Sequence, residues 1–254
     1  MCGRFVITTP PAALRQIFGY LEQPNFPPRH NIAPTQPVPV VILEEGSRHF
    51  RLMRWGLIPS WAKDPRKMAL MFNARSETLL EKPAFKNAIK RRRCLIPADG
   101  YYEWHTTEQR KRPYFIHRRD GQPVGFAALA ETWIGPNGEE LDTVAIVTAA
   151  ASPDLAVLHH RVPVTITPAD FDRWLDGLPD DVTEAMALLI GPREGEFAWH
   201  EVSTRVNRVA NDDAQLLLPI TDEQRAVEGP APAKRAVPRK PAPVTEDDGQ
   251  GSLF

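Results

Sequence analysis

Only two cysteines, Cys2 and Cys94, occur in 254 residues, too few for a disulfide framework, so stability has to come from a packed core. The chain has no apolar run near the roughly 18 residues of a membrane span, and no membrane-spanning segment is expected. Nor has it an excess of charge. With 31 basic and 32 acidic residues the formal net charge is −1, so any footprint for a charged partner must be local. A glycine-rich phosphate loop is missing, and His30, His49, His105, His117, His159, His160 and His200 are scattered without close Cys/His ligand spacing. No metal and no cofactor are therefore expected. The opening Met1-Cys2-Gly3-Arg4-Phe5 shows neither the charged nor the apolar region of a secretory signal. This points to the cytoplasm, where both thiols stay reduced; a Cys2–Cys94 disulfide is the alternative.

What is present reads as a single α+β domain. Thr9-Pro10, Ser152-Pro153 and Thr167-Pro168 each precede apolar residues at helical spacing, a hydroxyl N-cap followed by proline at the first helical position. Asp170 extends the last into a capping-box-like pattern, with Gly177 as its stop. Between about residues 93 and 150 the pattern changes to short β-branched and aromatic runs. Asp120-Gly121 separates Pro113–His117 from Val124–Leu129, and Asn137-Gly138 precedes Leu141–Thr148, as hairpin turns do. The expected architecture is an antiparallel, barrel-like β-sheet with surrounding helices over residues 2–222. Residues 223–254 are rich in proline and charge and poor in core formers, and read as a disordered tail. The one dense basic cluster, Lys90–Arg93, fits either a solvated helix end or a phosphate contact.

Cys2 carries the most distinctive chemistry. Removal of Met1, which a small second residue permits, leaves an α-amine and a thiol on adjacent carbons. Such a 1,2-aminothiol condenses with an aldehyde to an imine, and the thiol then closes a five-membered thiazolidine. An α-amine titrates at about 7.7–8.0 and a thiol at about 8.5, so modest tuning suffices at neutral pH.

Four further segments accompany Met-Cys-Gly-Arg-Phe: Trp55-Gly-Leu-Ile-Pro59 with Trp61, Asn73-Ala-Arg75 with Glu77, Pro97-Ala-Asp-Gly-Tyr-Tyr-Glu103-Trp104, and His160-Arg161 ahead of Pro163. In that order they resemble the SOS-response-associated peptidase (SRAP) family, which shields abasic sites in DNA. The resemblance runs from residue 2 to about 218, through Val202-Ser203, Asn207 and Asn211. It implies that Cys2 is a crosslinking nucleophile surrounded by Asn73, Glu103 and His160. Glu103, in its aromatic frame, is suited to shuttle protons between amine, aldehyde oxygen and thiol. Histidine is the residue type suited to protonate a departing oxygen or reopen the ring near neutral pH, and only the His-Arg-x-Pro pattern separates His160 from His159. Asn73 can only position. Arg4, Arg75 and Arg161 are suited to backbone phosphates, and Asn31, Pro34 and Thr148 fall in further family-like patches. Trp61 is the tryptophan expected to be exposed and to stack on a base. The implied partner is single-stranded DNA with an abasic site, met by a monomer in the nucleoid.

Two other readings remain open: a cysteine peptidase built on Cys2, His160 and Glu103, including removal of its own Met1, and a non-covalent reader of modified bases. The chain closes on Gln250-Gly251-Ser252-Leu253-Phe254. This pattern looks like the peptide by which bacterial repair proteins dock on the sliding clamp, with Leu253 and Phe254 as apolar anchors and Gln250 and Ser252 beside them.

Overall fold

Strands dominate because β-branched and aromatic residues alternate through the middle of the chain, with tight turns between them. The computed structural model describes residues 2–106, 111–176 and 182–228. In chain order its elements are β1 (Arg4–Ile7), α1 (Pro11–Phe18), β2 (Arg29–Ile32), β3 (Pro37–Glu44), β4 (Ser47–Trp55), β5 (Asn73–Arg75), α2 (Ala88–Arg91), β6 (Arg93–Ala98), β7 (Gly100–Thr106), β8 (Lys111–Arg118), β9 (Val124–Ile134), β10 (Glu140–Ala150), α3 (Pro153–Ala156), β11 (Arg161–Pro163), β12 (Thr165–Ile166), α4 (Phe171–Leu175), α5 (Val182–Ala187), β13 (Phe197–Glu201) and α6 (Asp222–Glu228). Among the described residues no helix is long and apolar enough to cross a membrane.

Five strands close into a barrel in the order β10-β4-β3-β6-β9, with β9 returning to β10; β5, β11 and β12 pair onto its wall. β9 is buried from Val124 to Ala130 and β10 from Thr143 to Ala149, the near-continuous apolar run of strands covered on both faces. Two pairings, β10 with β4 and β10 with β5, are parallel; the rest of the barrel is antiparallel. The second layer is an antiparallel sheet in the order β13-β8-β7-β1-β2. Successive side chains of a strand take opposite faces, and here they do so cleanly. Phe5, Tyr101, Ile116 and Phe197 join the main core, while Val6, Tyr102, Phe115 and Val202 close a second cluster with Val206 and Leu216.

The turns divide the expectations. Asn137-Gly138 does connect a hairpin, with Glu140 opposite Ile134 and Gly138 at φ 84°. Asp120-Gly121 makes its turn too, Gly121 lying at φ 72°, but it joins strands of different sheets. Turn chemistry sets a local reversal without choosing partners: β8 is already paired on both edges, by β7 and β13, and β9 by β6 and β10. A hairpin that the sequence reading did not identify joins β3 to β4 through Glu45 (φ 49°) and Gly46 (φ 77°), a two-residue turn with both φ positive.

Helix starts shift as well. α1 begins after Pro10, because the Thr9 hydroxyl and amide both donate to Asp99. Ser152 and Thr167 hold N-cap positions, yet their hydroxyls donate to Asp154 and Asp170 rather than capping an amide. Gly177 lies outside the described residues. The proposed tail boundary at 223 falls inside α6, whose Glu228 accepts from the Thr204 amide and pairs with Arg112 at 3.3 Å. The Gln250–Phe254 peptide lies outside the described residues.

Candidate active site around Cys2

Cys2 lies just ahead of β1 and is fully buried in the main core. Its carbonyl accepts a hydrogen bond from Asn73 Nδ2 at 2.8 Å. Asn73 reaches it because β5 runs along β10, Asn73 beside Ile146 and Thr148 beside Arg75; within β5 the strand alternation buries Ala74 and leaves Arg75 exposed. Trp55 backs this corner. Its indole N–H donates to the Phe72 carbonyl at 2.8 Å, and Phe5 and Phe72 pack edge-on against it at 5.0 and 6.0 Å. Truncating such a side chain to alanine costs about 3–5 kcal/mol.

The Cys2 thiol has only a weak contact, to the Arg4 carbonyl at 3.8 Å. Burial pushes its pKa up, and the charge of Glu103 pushes it further. At neutral pH it is therefore a thiol and must lose its proton to a neighbour in order to react. Glu103 is buried on β7, one residue beyond the Tyr102–Arg4 pair and opposite Tyr114. Its Oε1 accepts the Trp104 amide at 3.1 Å. The same carboxylate acts on His159, where burial lowers the pKa and Glu103 works in the opposite direction.

His160 ends the turn between α3 and β11, as expected of a junction. The structure gives the two histidines different environments. His159 is half-buried, with Nδ1 accepting the Arg161 amide at 2.9 Å, whereas His160 is exposed and stacks on it, ring centroids 4.3 Å apart.

The remaining candidates fall into two anchored groups and three outliers. Arg4 donates to Asn31 Oδ1 at 2.8 Å and to the Val206 carbonyl at 2.7 Å, and its guanidinium lies 6.0 Å from the Trp104 ring centre. Asn31 is buried, and its Nδ2 donates to the Val206, Arg208 and Asn211 carbonyls. Together they fasten the 206–211 segment beside β1 and β2. In the other group Arg161 and Thr148 are buried; Arg161 donates to Glu77 at 2.5 Å and to Thr148 Oγ1 at 3.1 Å. The Glu77 carboxyl is held below its ordinary range chiefly by that Arg161 contact. Outside both groups Pro34 is half-buried and Arg75 and Trp61 are exposed, Trp61 at 57%.

Of the Lys90–Arg93 cluster, Arg93 is buried and donates to the Trp174 and Ile89 carbonyls, while Arg92 pairs with Glu131 at 3.3 Å. Arg93 is thus internal scaffolding, and Lys90, Arg91 and Arg92 are exposed. Two residues of the Pro97–Trp104 segment stand out here: Asp99, to which the sequence assigns no role and which ties the end of β1 to the turn before β7, and Tyr101, part of the aromatic frame of Glu103 and buried on the same face.

A barrel with an attached sheet, holding a buried second-position cysteine whose carbonyl an asparagine ties and whose thiol feels a buried carboxylate, defines a cysteine-centred site. The chain belongs to the SOS response associated peptidase (SRAP) family, whose model matches residues 1–209. Among curated relatives, the abasic site processing protein YoqW of Bacillus subtilis is 33% identical over 221 residues, covering 85% of this chain and 99% of the relative. The abasic site processing protein HMCES of Gallus gallus is 34% identical, covering 87% of this chain and 78% of its own. A solved structure from Bacteroides thetaiotaomicron has the same fold, with TM-score 0.77 at 22% identity over 87% of this chain and all of that one.

Proposed function

We propose that this protein processes abasic sites in DNA, and that it does so by forming a covalent thiazolidine with the ring-opened aldehyde of an abasic site in single-stranded DNA. The observation that carries the reading is the clamp on Cys2: its carbonyl is fixed by Asn73 while its thiol is desolvated in the field of Glu103. The names of the relatives support the substrate class.

Once Met1 is removed, the Cys2 amine adds to the aldehyde carbon and water leaves, giving an imine. The thiol then adds to the same carbon, and its proton passes to the nitrogen. One C–N and one C–S bond form and one water is released. In this reading Glu103 relays the thiol proton, and the exposed His160 protonates the ring on reopening. Arg75 and Trp61 offer a phosphate contact and a stacking surface on the exposed side.

This order suits a buried thiol. A peptidase needs a thiolate at the first step, whereas condensation starts at the amine and calls on sulfur second. The test is a denaturing gel of purified protein, with Met1 removal verified by intact mass, mixed with abasic single-stranded DNA. A heat-stable shifted band that is lost on Cys2→Ala or on blocking the α-amine is expected; no band from the wild type would sink the covalent reading.

The clamp-like peptide Gln250–Phe254 is a separate proposal, resting on its sequence alone. Deleting Gln250–Phe254 is expected to abolish binding to a bacterial sliding clamp in fluorescence anisotropy while leaving the DNA adduct intact. Equal binding by both forms, or by neither, removes the clamp as partner.

A further inference from the structure

Among the buried polar atoms that find no hydrogen-bond partner in the described residues are Asn73 Oδ1 and the Tyr101 hydroxyl. Asn73 is already tied to Cys2 through its amide nitrogen. Tyr101 is not tied to anything by its hydroxyl, and a buried phenol normally finds a partner. Its position shows where that partner would come from. Tyr101 precedes Glu103 by two residues on β7, so both side chains leave the same face of the sheet. That face is the one on which Phe5 and Ile116, the cross-strand partners of Tyr101, enter the main core with Cys2. The ring is fixed edge-on against Phe126, centroids 6.1 Å apart. Burial first, and then the charges of Cys2, Glu103 and Asp154, keep the phenol protonated, so it can both donate and accept.

The substrate has one group that fits. When an abasic deoxyribose opens, C1 becomes the aldehyde, C3 and C5 carry the phosphates, and C4 gains a free hydroxyl. The aldehyde oxygen departs as water during condensation; the C4 hydroxyl persists through both steps. We propose that the Tyr101 hydroxyl is a specificity-determining group that hydrogen-bonds the C4 hydroxyl of the opened sugar, selecting it over an aldehyde of equal length without that hydroxyl. The inference rests on the covalent reading above.

The experiment compares initial rates of adduct formation on two oligonucleotides, one with an abasic site and one with a linear aldehyde lacking the hydroxyl between the same phosphates, for wild type and Tyr101→Phe. The abasic sugar is largely closed as a hemiacetal and the plain aldehyde is not, so the preference read is the ratio of the two rates. Tyr101→Phe is expected to shift that ratio roughly tenfold against the hydroxylated substrate, the scale of one neutral hydrogen bond, and to leave the rate on the plain aldehyde unchanged. Its Tm should match or exceed that of wild type, because the atom removed had no partner in the free protein. Equal losses on both substrates, an unchanged preference, or a lowered Tm would each overturn the role of Tyr101 while the covalent chemistry stands. No adduct from wild type on either substrate overturns the covalent reading and this inference together.

Discussion

Cys2 and Cys94 are equally buried, and burial pushes both thiols above their ordinary range, yet they sit in different kinds of surroundings. Cys94 lies within β6 opposite Ala128, and its carbonyl accepts the Trp174 indole N–H at 2.8 Å; it is part of the barrel wall. Cys2 lies at a strand entrance, its carbonyl on a side-chain amide and its sulfur beside a carboxylate. Burial alone makes a thiol inert. Burial next to groups that can move a proton makes it selective, since only a reagent that occupies the site can draw on them.

The strongest way to break this comparison is to exchange sulfur for oxygen at each position. Cys2→Ser is expected to lose the stable adduct on a denaturing gel while still forming an imine that borohydride traps. Cys94→Ser is expected to keep the adduct and lose about 1–3 kcal/mol in denaturant melts, the cost of a hydroxyl in an apolar wall. A borohydride-independent adduct from Cys2→Ser would remove the distinction.

Glu103→Gln comes next. Proton relay by a positioned side chain contributes about 10²–10⁴-fold, and a loss near the lower figure is expected. The sign with pH follows from the raised thiol pKa: thiolate is scarce at neutral pH and grows as pH rises. The variant should therefore recover speed steadily as pH rises, without levelling off in the ordinary thiol range. A rate that stays flat in initial-rate assays would take the thiol proton away from Glu103.

His160→Ala should have a smaller effect, slowing exchange of a preformed adduct onto excess abasic DNA of another length more than it slows formation. Unchanged exchange would make the exposed ring of the stacked pair structural. The smallest effects are expected on DNA binding. Arg75→Ala should weaken it with a salt slope shallower by about one unit and leave Tm alone. Arg4→Ala should also lower Tm, because that guanidinium fastens the 206–211 segment.

Residue chemistry was legible in the sequence where a side chain acts through its own type. The exposed Trp61 and the hairpin at Asn137-Gly138 could both be read there. What depends on partners could not. The sequence of Asp120-Gly121 says that the chain turns and is silent on the two edges already occupied beside it. Asn31 and Thr148 look like polar lining residues in sequence, and in the fold their groups are engaged by the protein itself. The Glu45-Gly46 turn was hidden because glutamate seldom adopts a positive φ, and the structured start of the tail was hidden by its charge, which Glu228 directs inward to Arg112 and Thr204.

The order of synthesis gives the burial of Cys2 a timetable. The ribosome delivers residue 2 first and His160 last of the four central residues, so the amino terminus is open to processing enzymes long before β7 and β10 exist to enclose it. Once β1 is clasped between β2 and β7 and Asn73 has taken the Cys2 carbonyl, Cys2 is fully buried. If Met1 is lost, the nascent chain and the finished site acting on itself are the two settings to separate. A pulse-labelled, ribosome-bound chain analysed for its first residue separates these two histories.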